Sequence, residues 1–392
     1  MLYRRALELH SRLRGKIEIR NKVKIRSMDD LSLIYTPGVA SVAQEIAKDK
    51  NKAYEYTLKH NSIAIITDGS RVLGLGNIGA EAALPVMEGK AVIFKEFAGV
   101  DAFPLCLSTN NKDEIISVVK AISPSFAAVS IEDIESPKCL EIVDVLQEQL
   151  PIPVFHDDQH GTAVVVLAAL INALRVVGKS VESARITIVG AGAAGYGIVN
   201  IISKYNKDGR FNPRNIIVLD SKGIISRSRL KHENNVNMYK LKIAELTNTD
   251  DLNGSLIDAL RGSDVLIGVS GRSNLISRDM IRLMAKDAIV FALTNPEPEI
   301  IPNIAKNSGA RIVATGRSDY YNQINNALVF PHLIRAVIDS GIKRIEWDML
   351  VDVAYAIAEY TRSNRWFNER HIMPSIMDKG LARVIISAIK AR

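Results

Sequence analysis

What this chain lacks narrows its identity first. It has two cysteines, Cys106 and Cys139, and no CxxC pair, which excludes a disulfide framework and a thiolate zinc site and implies a reducing compartment. Its longest apolar run, AVVVLAALI from Ala163 to Ile171, is about half of the ~20 residues a membrane helix needs, so no membrane partner is expected. The opening MLYRRALELHSRLRGKIEIR is arginine-rich but has no apolar core, and Glu8 and Glu18 weigh against a transit peptide; the expected location is the cytoplasm. Nor is the basic character widespread. Residues 1–27 hold nine Lys/Arg against two Asp/Glu, and the rest of the chain balances at 41 of each. With no run of interleaved aromatics, a solvated or subunit-contacting helix explains this arm better than a groove tracking phosphates, and no nucleic-acid partner is expected.

What is present is ample core material. At 392 residues, 47% hydrophobic and 24% charged, the chain divides most naturally into two domains. Short apolar, β-rich runs recur: SIAIITD, KAVIFKEF, FAAVSIED, PVFHDD, ARITIVGAG, NIIVLDSKG, DVLIGVSG, AIVFALTNP and ARIVATG. Most end in Gly, Asp, Ser or Asn, as strands buried on both faces do, and they alternate with helix-like stretches. This is the pattern of an α/β protein with parallel sheets. The boundary falls near PIPVFHDDQHG, giving expected domains 1–155 and 156–392, with helices from His332 onward.

The spacing GxGxxG occurs twice, at Gly74, Gly76 and Gly79 and again at Gly190, Gly192 and Gly195. The second copy has the context that gives this weak pattern meaning: a β-branched strand, Ile186 to Val189, runs into Gly190, and Ile198, Val199, Ile202 and Tyr205 follow at helical spacing. A tight turn and a helix N-terminus aimed at phosphate are thus supplied through Gly190, Gly192, Ala193, Ala194 and Gly195. The next strand ends at Asp220, the expected place for a carboxylate holding a ribose hydroxyl; the loop NKDGRFNP accounts for its longer than usual distance from Gly190. The first copy fits badly, because TDGSR precedes it and Pro85 interrupts the helix that should follow. Its glycines are expected to let backbone pass close to substrate or to a neighbouring segment.

Two acidic pairs end buried strands: Glu132 and Asp133 after FAAVSI, and Asp157 and Asp158 after PVFH. Carboxylates at strand ends of an open sheet face the ligand crevice, and oxygen ligands favour Mg²⁺ or Mn²⁺. Helix capping is the plain alternative; two such pairs favour the metal. His156 and His160 lie four apart, a spacing that suits zinc on a helix, but the stretch straddles a strand end and lacks the HExxH glutamate, so the hard-metal reading stands above it.

Taken in order, YTPGVA, TDGSRVLGLGNIG, LPVMEGKAVIFKEFAGVDAFP, SIEDIESP, PVFHDDQHGTA, VGAGAAG, TNPEPEI and GRSDYYNQINNALVFP resemble the malic enzymes, in their short bacterial and archaeal form. The resemblance runs from the basic arm to about residue 340. It implies an N-terminal α/β substrate and metal domain, then a Rossmann-type doubly wound parallel sheet with C-terminal helices. It also implies oxidative decarboxylation of (S)-malate to pyruvate and CO₂, with NAD⁺ (NADP⁺ being possible) taking the hydride and Mg²⁺ or Mn²⁺ bound, in a homodimer or dimer-based oligomer. Lys90 matches the general base, a role for which its pKa must fall toward neutrality; Lys95 is the competing candidate. Tyr35 matches the acid that protonates enolpyruvate, and Glu132, Asp133 and Asp158 match the metal ligands. Asp157 is a neighbour that orients Lys90 or a water. Arg71 matches an arginine that grips a malate carboxylate in larger members, and Asn295 and Asn325 match amides contacting malate or the nicotinamide side, with Asn326 as an alternative amide. Asp220 disfavours a 2′-phosphate, whereas Lys222, Arg227 and Arg229 favour one. Two rival classes are an amino-acid dehydrogenase, which has no use for the acidic pairs, and a silent NAD(P)-binding protein; metal dependence and a malate assay separate them.

Overall fold

The computed structural model describes residues 2–72 and 74–391. Two sheets organise it. The first holds β1 (Ser62–Thr67), β2 (Asp101–Cys106), β3 (Ala128–Ile131) and β4 (Val154–His156), all parallel, in the order β2-β1-β3-β4. The second holds β5 (Ile186–Val189), β6 (Ile216–Asp220), β7 (Gly223–Ile224), β8 (Val265–Gly268), β9 (Ala288–Ala292) and β10 (Ala310–Thr315). Its order is β10-β9-β8-β5-β6-β7, parallel except for the short β6/β7 pair. The strand order reverses at β5, flanked by β6 and β8, so a crevice opens beyond its carboxyl end.

The helix Thr162–Val177 follows β4 and is buried continuously from Thr162 to Leu174. It packs against the helices Ala193–Lys204 and Trp347–Arg362. Together with the preceding turn it forms a stretch, Asp157–Val177, long and apolar enough to cross a membrane, but 83% of its most apolar window is buried inside the protein. Its all-round hydrophobicity reflects a core position.

Two expectations are corrected here. KAVIFKEF is no strand: it lies in a helix, Gly79–Ala98, whose buried residues Ala80, Ala83, Met87, Ala91 and Phe94 recur every three to four positions. That 3.6-residue stripe outweighs the short β-branched run within it. Pro85 sits inside this helix without ending it. The fourth strand of the sheet is instead DAFPLC, whose Pro104 is tolerated because β2 is an edge strand.

Candidate active site

A cleft of about 1500 Å³ runs from the first sheet to the second. Its dinucleotide end is built by the second glycine motif, and the three glycines do different work. Gly190, at φ 125°, leaves no room for a Cβ against the Val269 carbonyl, and Gly195 leaves none against the carbonyl of Gly190. Gly192 is open; its nearest neighbour to a Cβ is Ser136, 3.9 Å away, so the N-terminus of the helix Ala193–Lys204 stays accessible from the cleft. Gly192, Ala193 and Ala194 line that wall. Unpaired N–H groups and the positive end of the helix dipole make this an anion seat.

Asp220 ends β6 and also faces the cleft. Arg229 grips it with two bonds, Nη1–Oδ1 2.8 Å and Nη2–Oδ2 3.0 Å, while Lys240 Nζ donates to Oδ2 at 2.6 Å. Burial works against the carboxylate's charge, but these cations outweigh it and hold the acid far below the usual carboxylate range. Lys222 is turned to Glu233, at 2.8 Å.

At the other end, β3 and β4 are neighbours with Ile131 paired to His156, so both acidic pairs leave the sheet side by side. Lys90, on the helix Gly79–Ala98, reaches between them: Nζ is 2.5 Å from Glu132 Oε2 and 2.6 Å from Asp157 Oδ2, and lies 5.3 Å from the Phe330 ring centroid. Ser130 Oγ donates to Glu132 Oε1 at 2.7 Å. Burial opposes the lysine's charge, yet Asp157, Glu132, Asp133 and Asp158 together override it and raise its pKa well above the ordinary value. This is the reverse of the lowering expected for a base; in this state Lys90 is an ammonium. Lys95 is exposed and paired with Asp101 at 2.6 Å, away from the cleft.

The acids have the chemistry of a hard-cation site. Asp133, Asp157 and Asp158 line the cleft, Asp157 Oδ1 is buried without a hydrogen-bond partner, and four carboxylates surround one ammonium. Their excess negative charge and oxygen donors fit a divalent ion. As positioned, Glu132 and Asp157 point at Lys90, and among the described residues no three His, Cys, Asp or Glu side chains converge on one point. His160 is a core group: it packs on Phe155 and Trp347 and its Nδ1 accepts from the His156 N–H at 3.2 Å. Burial and the neighbouring His156 push its pKa down to about 3.

The first glycine motif joins the two ends. Gly74 passes so close to the Asn295 carbonyl and Pro296 that no Cβ fits, as expected of a close backbone approach. Arg71 lines the cleft, with its guanidinium against Gly271. Asn295, Asn325 and Asn326 line it too; Asn325 Nδ2 donates to the Gly316 carbonyl at 3.4 Å, and Asn326 Nδ2 to the Asp157 carbonyl at 3.3 Å. Tyr35 is the exception. It follows the helix Met28–Ile34, is 67% exposed and does not border the cleft. Sequence reasoning missed Lys16, which lines the cleft, and Lys240 on Asp220; neither carries a spacing signal.

The family model for the malic enzyme NAD-binding domain matches residues 159–388, and that for the malic enzyme N-terminal domain matches residues 14–113. The bifunctional malic/malolactic enzyme of Bacillus subtilis is 46% identical over 98% of this chain and 91% of its own length. The NAD-dependent malic enzyme of Geobacillus stearothermophilus is 48% identical over 96% of this chain and 76% of its own. The NADP-dependent malic enzyme of Escherichia coli is 42% identical over 92% of this chain but only 46% of its own length. Among solved structures, the NAD-dependent malic enzyme from Thermotoga maritima superposes with a TM-score of 0.91 at 45% identity, covering 98% of both chains. By sequence, by domain content and by fold, this chain belongs to the malic enzyme family.

Proposed function

We propose that this protein oxidises (S)-malate with NAD(P)⁺ and releases pyruvate, CO₂ and NAD(P)H, with a divalent cation bound. The observation that carries this reading is Lys90 clasped by Glu132 and Asp157 in the same cleft as the Gly192 helix terminus and Asp220. Glu132, Asp133 and Asp158 are the residues that would hold the ion, which when bound polarises the 2-oxo oxygen of the oxidised substrate. Lys90 must first give up the proton that its acidic neighbours hold on it; as the neutral amine it then takes the C2 hydroxyl proton as hydride leaves the same carbon, and Asp157 holds the nitrogen in place. Arg71, Asn295 and Asn325 orient the substrate. The proposed division at 155/156 falls within β4 (Val154–His156), with β1–β3 before it and β5–β10 after it.

The exposed Tyr35 bears on assembly. In the helices Met28–Ile34, Val39–Lys48 and Ala53–Tyr56 no residue is buried, while Leu33, Ile34, Val39, Val42, Tyr54 and Tyr56 are exposed. An apolar surface of this extent signals a partner. The occupant proposed is a second copy of this chain, because each cleft lacks the proton donor that the other's arm displays. A two-fold contact satisfies both at once. Tyr35 of one copy then protonates the methylene carbon of enolpyruvate in the other.

For the dinucleotide, NAD⁺ is the proposed preference: Asp220 already occupies Arg229 and Lys240, so a 2′-phosphate must displace a carboxylate to reach them. Reduction of NAD⁺ and NADP⁺ measured side by side with malate and Mn²⁺ tests the whole reading. Malate-dependent reduction faster with NAD⁺, accompanied by pyruvate and abolished by excess EDTA, is expected; no malate-dependent reduction with either dinucleotide contradicts it.

A further inference from the structure

Among the described residues, six cations face the cleft: Lys16, Arg71, Lys90, Lys222, Lys240 and Arg272. Lys90, Lys222 and Lys240 are each committed to carboxylates. Among the described residues, Lys16, Arg71 and Arg272 form no ion pair, and these three are available to an incoming anion. Arg71 lies against Gly271, next to Arg272, on the loop that follows β8. Lys16 stands apart from them, over the turn that carries Lys90. Its Nζ donates to the Pro85 carbonyl at 2.5 Å, and a Cβ on Gly89 would lie 3.4 Å from the same nitrogen. The position is anchored through the main chain, where the Lys16 N–H donates to Glu88 Oε2 at 3.1 Å.

An ammonium has three N–H donors, and one neutral carbonyl uses only one of them. The surrounding wall is strongly acidic, with Asp133, Asp157 and Asp158 on it. A substrate carrying two carboxylates is repelled there unless a cation not already spoken for compensates. Lys90 is engaged with its own acids, Arg272 sits on the loop that follows β8, and Arg71, which orients the substrate in the reading above, offers one guanidinium for two carboxylates. We propose that Lys16 is a specificity-determining residue that receives one carboxylate of the dicarboxylate substrate, closing the malate end of the cleft from the N-terminal arm. This rests on the malate reading above and adds a residue and a role to it.

The test compares Lys16→Met, which keeps length and loses charge, with Lys16→Arg and with Glu88→Gln, which loosens the anchor but keeps the ammonium. Steady-state kinetics give KM and kcat; calorimetric titration of malate into protein holding Mg²⁺ and reduced dinucleotide gives affinity without turnover. Loss of a charge-assisted hydrogen bond predicts that Lys16→Met weakens malate roughly ten- to hundredfold in both measurements. The dinucleotide dissociation constant should stay at the wild-type value and kcat should fall far less than KM rises. Lys16→Arg should recover most of the loss, and Glu88→Gln should cost only a few-fold. Wild-type malate affinity in Lys16→Met overturns the proposal while leaving the malate reading intact. Equal damage in the Met and Arg variants overturns it as well, since packing and not charge would then matter. Wild-type protein that binds no malate calorimetrically overturns both.

Discussion

Asp220 shows how a single side chain can carry two opposed signals. As a carboxylate at the end of β6 it suits a ribose with free hydroxyls; as the partner of Arg229 and Lys240 it keeps in place the cations a 2′-phosphate would want. Removing the acid frees Lys240 and leaves Arg229 with Glu233, at 3.4 Å. Asp220→Ala is therefore expected to shift the ratio of kcat/KM for NAD⁺ over NADP⁺ at least about tenfold toward NADP⁺, the scale of one or two charge-assisted bonds. Steady-state kinetics with each dinucleotide checks this, and a ratio unchanged in the variant removes Asp220 from the ribose site. Lys90 teaches a related lesson. As the general base that the resemblance implies, it reads as a residue whose pKa must fall, but four acids at the ends of two strands dominate its field. Such long-range charges are invisible along the chain.

At the scale of elements, much was legible. Eight of the nine β-rich runs are strands or strand ends, because a buried parallel strand writes itself as a short apolar run stopped by Gly or Asp. The same logic placed both acidic pairs and the dinucleotide turn at strand ends. The helix Gly79–Ala98 was misread because VIF favours a strand locally, while the stripe from Ala80 to Phe94 that overrides it spans four turns. DAFPLC does not read as a strand because Pro104 argues against one unless the strand is known to be an edge. The helix Thr162–Val177 was recognised as apolar, and the structure explains why: it is the beam on which the helices Ala193–Lys204 and Trp347–Arg362 rest. Leu170 is wholly buried in it. Leu170→Ala is expected to destabilise the protein by about 2–5 kcal/mol, measured by urea unfolding; a loss below about 1 kcal/mol would show that the helix is not a packed core element.

For the molecule as a whole, the two sheets supply the two halves of one reaction, and the loop through Gly74 holds them in contact. Of the proposed site residues, Tyr35 is the one that does not border its own chain's cleft. Sequence motifs point to the tyrosine but carry no information about which copy would use it; its exposure and the unburied helices around it support the proposed use by a second copy. If each cleft combines Lys90 of one chain with Tyr35 of another, two inactive variants can repair each other. Lys90→Ala and Tyr35→Phe should each lose ~10²–10⁴ in rate. When the two are co-expressed in equal amounts, random pairing makes about half of the dimers mixed, and each mixed dimer has one intact site and one doubly impaired site. Conversion of malate to pyruvate with NAD⁺ and Mn²⁺ should then return to about a quarter of the wild-type rate. Complementation at that level would tie Lys90, Tyr35 and the second copy to malate oxidation in a single assay; mixed dimers that are folded, contain both variants and form no more pyruvate than either variant alone would contradict the account.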